Sequence, residues 1–381
     1  MKRTPLAWLN LLHERTRLAV AIAGVGFAVL LIFMNLGFLG ALLATATNLY
    51  EQFNGDLFLL SPQTLEISSA TTFPRTRLQQ VAGIAGVERA MPLYAEYLLW
   101  RNPVTRVSRA MFVYGINPQD PVFLMPELQD PTAIARLNQP NSAFIDRLSR
   151  QEFGPQTVGL ETEADRRRIT IVGQYTLGGG FAADGTLIMS DQNFRRFFDP
   201  RPLTQINLGV IQLSPGADPQ QVAAVMRQRL PGDVTVFTKA EIIDHDRRFW
   251  LETTAIGFIF GLGVVVSFIV GTVIVYQILY TDIRDHMQEY ATLKAMGYSS
   301  RYLFQLVLQE AVLLAVLGYL PGLVISLGLY QLTVSATAGS LPVAMTLPRM
   351  VWVLVLTVVM CGASGMISVR RAVTADPADV F

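Results

Sequence analysis

Few side chains in this sequence are able to do chemistry, and they lie far apart. The three histidines, His13, His245 and His286, are too scattered to suggest a metal cluster, and the single cysteine, Cys361, makes no intramolecular disulfide. There is no G-x-x-x-x-G-K-[ST] to cradle a nucleotide phosphate, no H-E-x-x-H and no G-x-S-x-G, so an enzymatic activity of its own has little support. Asp244-His245-Asp246 comes nearest to a metal-binding cluster. Successive side chains on a helix point in different directions, however, and a solvated helix face is the plainer reading. Gly178-Gly179-Gly180 with Asp184-Gly185 reads as a hairpin loop, with ligand contact as the other reading. Gln309 and Glu310 fall within an apolar stretch. An ionisable group there is costly and often functional, unless it snorkels to the inner face or pairs with another helix.

Residues 280–300, YTDIRDHMQEYATLKAMGYSS, form a short, highly charged segment with long apolar runs on both sides. As a helix it would place Ile283, Met287, Tyr290, Leu293 and Met296 along one apolar stripe, with Asp282, Asp285, His286, Glu289 and Lys294 elsewhere. Gly297 is a natural C-terminal stop. A helix of this kind, tethered at each end, can enter a groove on a soluble partner or rest on lipid headgroups.

The elements that would hold this segment follow from composition. The chain has 381 residues, 51% hydrophobic and only 15% charged, with mean hydropathy +0.38; a soluble domain normally carries nearer a quarter charged residues, about 25%. We expect an α-helical membrane protein. A net charge of +1 offers no concentrated basic surface for nucleic acid. Four stretches, 18–46, 251–280, 303–336 and 350–369, reach the roughly 20 residues that a bilayer core requires. The first is too long for a signal peptide and reads as an uncleaved anchor. Pro321 between Gly318 and Gly322 predicts a bend in the third. Basic residues Lys2, Arg3, Arg15, Arg17, Arg284, Lys294, Arg301, Arg370 and Arg371 flank the spans on one side, which puts both termini and residues 281–302 in the cytoplasm. Residues 1–17 suit an amphipathic helix on the inner leaflet or an extension of the first span. Residues 47–250 are then periplasmic and residues 337–349 a short loop on the same side, while 370–381 form a cytoplasmic tail. In the long segment, strand-like runs such as 56–60, 110–115, 169–173 and 205–210 alternate with helical patterns at 75–82, 191–198 and 218–230. The expected architecture is therefore four transmembrane helices with a large α+β domain inserted between the first and second. The helix from 239 to 251 contains no Pro or Gly and is expected to run on into the second span as a stalk. Gly263, Ser267 and Gly271 recur at four-residue spacing and form a packing face, within the chain or between two copies.

The run Glu289-Tyr290-Ala291-Thr292-Leu293-Lys294-Ala295-Met296-Gly297 resembles the E-[IY]-A-x-L-[KR]-A-[LM]-G signature of MacB/FtsX-type ABC transporter permeases, and the layout of spans agrees. The wider segment YTDIRDHMQEYATLKAMGY, the opening AWLNLLHERTRLAVAIAG, GQYTLGGGFAADGTLIMSDQNF and the ending ADPADVF look like DevC-type permeases of cyanobacterial glycolipid exporters. One departure is His286, where many MacB-like loops carry an arginine. The resemblance implies a permease that binds no cofactor itself and works with a separate ABC ATP-binding subunit (DevA-like) that holds ATP and Mg. It also implies a second permease copy (a homodimer), a periplasmic membrane-fusion adaptor (DevB/HlyD-like) and an outer-membrane TolC-like channel, with the inner membrane as its site. On it, Asp282, Arg284, His286, Glu289, Tyr290, Leu293, Lys294, Met296 and Gly297 form the ATPase-coupling segment, in which Glu289 offers a carboxylate and Leu293 fills the partner's groove. The implied task is mechanotransmission, export of a glycolipid or other amphiphile. An FtsX-like lever on a periplasmic hydrolase, or a membrane sensor without transport, would use the same parts.

Overall fold

The structure, a computed structural model, describes residues 15–178, 184–285, 287, 288, 292, 296, 300–337, 339 and 341–374. The chain divides into two units, one of residues 1–40, 256–333 and 343–381, the other of residues 41–255 and 334–342.

The first unit is helical, built on α1 (Arg15–Gln52, whose last turns belong to the second unit), α7 (Ala255–Asp285), α8 (Ser300–Ala336) and α9 (Leu347–Thr374). Each includes a stretch long and apolar enough to cross a membrane. Lipid is as apolar as a leucine side chain, so such helices associate through close packing and polar contacts. Small residues supply the first. A Cβ on Gly322 of α8 would lie 2.8 Å from the carbonyl oxygen of Gly26 on α1, so only hydrogen fits at this crossing. α8 runs unbroken through Pro321, and the flanking glycines serve this close approach. Serines supply the second. Ser364 and Ser368 of α9 donate to the carbonyls of Thr272 and Tyr276 on α7, at 2.8 and 3.4 Å, while also bonding the preceding turn of their own helix.

The second unit is built on a nine-stranded mixed sheet. In chain order the strands are β1 (Leu57–Leu60), β2 (Phe73–Pro74), β3 (Val87–Arg101), β4 (Ser108–Ile116), β5 (Ser142–Asp146), β6 (Glu161–Ala164), β7 (Arg167–Tyr175), β8 (Thr186–Ser190), β9 (Gln205–Ile206), β10 (Leu208–Leu213) and β11 (Thr235–Thr238). The sheet order is β11-β1-β10-β3-β4-β8-β5-β7-β6, with β2 and β9 paired separately. The first half of β3 pairs with β10 and the second half with β4. Trp100 of β3 also meets Ala164 of β6, so β3, β4, β8, β5, β7 and β6 close into a ring. Inside it Trp100, Met111, Val113, Ala143, Ile171 and Leu187 belong to one core. Successive strand residues point to opposite faces, and in β1 both faces are buried. Leu57 and Leu59 enter the first core while Phe58 and Leu60 enter a second, which also receives Tyr50 and Phe53 from the end of α1 and its neighbouring turn.

Short helices cover the sheet: α2 (Thr76–Ala82), α3 (Pro131–Leu137), α4 (Asp191–Phe197), α5 (Pro219–Arg229) and α6 (Lys239–Arg248). Ser190 and Asp218 cap α4 and α5 by accepting from the amides of Asn193 and Gln220, and Thr238 with Glu241 forms a capping box on α6. Two expectations are corrected. The run 205–210 is not one strand, because the buried Asn207 turns aside to accept from the amide of Ala95 and donate to the carbonyl of Ala70. Nor does a continuous stalk lead into the second span. α6 stops at Arg248, a π-helical turn follows over Phe249–Thr253, and Thr254 is extended. The Thr254 hydroxyl donates to the Trp250 carbonyl at 2.7 Å, a local bond that competes with the helical ladder and favours ending it between two β-branched residues.

Candidate functional site

The end of α7, where the charged segment begins, has one apolar and one acidic side. Ile283 is buried in a small cluster with Leu306 and Val307 of α8 and Val369 of α9, and Met287, one turn on, packs against the same cluster. On the acidic side, Arg17 of α1 spans two carboxylates three positions apart. Its Nη2 donates to Asp285 Oδ2 at 2.7 Å, and its Nη1 is 3.6 Å from Asp282 Oδ1. The Arg17 and Asp282 side chains keep only 21% and 12% of their exposure, against 40% for Asp285. Arg284 is turned outward, with its Nε 3.5 Å from Asp285 Oδ1. Further along, Thr292 bonds back to the Gln288 carbonyl and the Met296 amide to that of Thr292, as in a helix, with the Met296 side chain exposed.

The sequence-predicted residues are thus distributed. Asp282 faces Arg17 inside the protein, while Arg284 and Met296 face outward. Of the expected apolar stripe, Ile283 and Met287 turn toward the chain's own helices. His286, Glu289, Tyr290, Leu293, Lys294 and Gly297 lie outside the described residues, as do residues 1–14, 179–183 and the tail from 375. Gly263 lies against Asn35, and Gly271 against Ala28 and Met360, while Ser267 is buried between them and bonds the Gly263 carbonyl. These contacts of the stripe are made within the chain. Glu310 is fully buried. Arg17 was legible only as a basic flank, because nothing local marks a partner 268 positions away.

In the second unit the Asp244-His245-Asp246 run is not one solvated face. Asp244 is partly exposed and pairs with Arg248 across one helical turn. Asp246 is 1% exposed and accepts from the Tyr50 hydroxyl at 2.7 Å, with His245 Nδ1 3.3 Å away. Burial holds the Asp246 carboxyl above the usual carboxylate range, against the downward pull of its hydrogen bonds to His245 and Tyr50. No group of three metal-ligating side chains converges among the described residues. Beside α6 an open groove of about 510 Å³ is lined by Leu65, Arg227, Phe237, His245, Phe249 and Glu252, among others. The glycine run starts at an anchored point. Asp146, buried, accepts from the amides of Leu148, Leu177 and Gly178, and Asn48 of α1 donates to the Leu177 carbonyl. Gly178 itself has φ +94°, which glycine adopts without strain.

Four helices long and apolar enough to cross a membrane, with a mixed α+β domain inserted after the first, give the layout of an integral membrane protein. Residues 18–229 match the MacB-like periplasmic core domain, and residues 252–377 match the FtsX-like permease C-terminal region. The chain belongs to this MacB/FtsX-like permease family, and the inserted domain is of the periplasmic type. A curated relative, the macrolide export ATP-binding/permease protein MacB of Acinetobacter baylyi, is 31% identical over 113 residues, which is 30% of this chain and 17% of that protein. Among solved structures, the periplasmic region of MacB from Actinobacillus actinomycetemcomitans aligns with 8% identity and TM-score 0.36, covering 52% of this chain and 96% of that one. The extracellular domain of the noncanonic ABC-type transporter YknZ from Gram-positive bacteria aligns with 11% identity and TM-score 0.34, covering 48% and 99%.

Proposed function

We propose that this chain is the permease subunit of an ATP-driven, mechanotransmission-type ABC exporter. A separate ATP-binding subunit, carrying ATP and Mg, presses on residues 282–297. The observation that carries this reading is the charged segment opening at the clamped end of α7, in a permease-family chain. The protein sits in the inner membrane with both termini cytoplasmic and works as a homodimer. The cargo is a glycolipid or another amphiphile, taken from the periplasm or outer leaflet and passed through a periplasmic adaptor and an outer-membrane channel. The choice of cargo is supported by the DevC-type resemblance. The match of residues 252–377 to the FtsX-like region favours one second reading, a transmembrane lever that controls a periplasmic hydrolase.

Gentle purification from native membranes, with identification of every co-purifying chain, separates the two. A P-loop ATPase with a periplasmic adaptor is the expected result. An ATPase with a cell-wall hydrolase would select the lever, and absence of any ATPase from the intact complex would overturn both.

A further inference from the structure

We infer that Arg17 is a positioning residue for energy coupling: it latches the start of the coupling segment to α1, so that a push on that segment moves α1 as well as α7. The inference rests on the permease reading above and goes beyond it by naming the residue and the helix through which force leaves the segment.

Three observations converge. First, the geometry fits one guanidinium between two carboxylates. Asp282 and Asp285 are three positions apart on one face of α7, and the two terminal nitrogens of Arg17 address them separately, at 3.6 and 2.7 Å. A lysine ammonium has no such fork. Second, the pair is partly dry, with Arg17 and Asp282 mostly shielded from water. Removing one partner would therefore leave a poorly solvated charge behind, unlike the loss of a surface ion pair. Third, the opposite side of the same turn is fixed, since Ile283 is buried against Leu306, Val307 and Val369. The start of the segment thus cannot shift without breaking the ion pair, opening the apolar cluster or carrying α1 along. Asp285 also has Arg284 within 3.5 Å, so it keeps a cationic neighbour when Arg17 moves. α1 then runs without interruption to Gln52.

The test uses the complex purified with its ATPase and reconstituted in lipid nanodiscs. An environment-sensitive fluorophore is placed on Glu51→Cys, an exposed position near the far end of α1, and the signal read is the spectral change on adding Mg-ATP, which needs no knowledge of the cargo. In the background without further change the shift is expected. Arg17→Glu should reduce it about fivefold or more, the low end of ordinary coupling energies, while the ATPase still co-purifies and hydrolyses ATP. Adding Asp285→Arg to Arg17→Glu again sets one guanidinium between two carboxylates and should restore the shift, which a merely structural role for Arg17 would not require. An undiminished shift in Arg17→Glu, failure of the swap to rescue it, or no shift in the background complex would overturn the latch and leave the permease reading standing. Absence of an ATPase from the complex would overturn the permease reading and the latch with it.

Discussion

Asp246 and Tyr50 show how much depends on one buried hydrogen bond. A carboxyl whose native pKa is raised binds its proton more tightly folded than unfolded. Its contribution is full below the unfolded value of about 3.9 and is lost as pH rises through the raised native value. Burial raises Asp246, so the second unit should lose stability from this group as pH rises above about 4. Asp246→Asn should flatten that part of the profile in thermal unfolding measured from pH 4 to 8, and an unchanged slope would exclude Asp246 as its source. Tyr50→Phe removes the donor and should cost about 1.5–3 kcal/mol once the carboxyl is charged. The sequence placed Asp244, His245 and Asp246 together as equals. It could not say which of three adjacent side chains would meet a tyrosine 196 positions away, since only tertiary packing makes that distinction. Arg17 was hidden in the same way, its charge visible and its partners not.

For the helices, the backbone approach of α1 to α8 decides which glycines matter. A Cβ on Gly322 would meet the Gly26 carbonyl oxygen at 2.8 Å, whereas one on Gly261 or Gly328 would meet nothing within 4 Å. Gly322→Val should therefore destabilise the detergent-solubilised protein by about 1–3 kcal/mol, while Gly261→Ala and Gly328→Ala leave its melting unchanged or higher. Equal effects at the three sites would remove the crossing as the cause. Spans, short helices and strands were legible at this scale because each writes its own period or length into the chain. The strand break at Asn207 and the helix break at Thr254 were not. Each results from a side chain diverting backbone hydrogen bonds, and neither residue is unusual in composition.

For the whole molecule, the order of elements along the chain was legible and their arrangement in the sheet was not. β3 pairs with β4 after a short turn, but also with β10, more than a hundred positions later, and such pairings leave no local mark. The proposed orientation in the membrane, argued from charge flanking, is directly testable. A reporter active only in the periplasm, inserted at the exposed Gly216 turn, should be active, and one fused after Ser299 should be silent. The reverse pattern would invert every assignment of side.

The two-sided burial of β1 has an effect on pairing itself. In a sheet with one wet face, a slip of one residue throws the apolar set into water, and solvation alone forbids it. β1 is Leu57-Phe58-Leu59-Leu60, apolar on both faces, so a slipped β1 would stay dry. What distinguishes right from wrong alignment there is volume, the aromatic ring of Phe58 facing Tyr50 and Phe53 on one side and the smaller leucines facing the other. The alignment of β1 is thus proofread by shape, and a strand that carries so little polar information depends on the sizes of its neighbours.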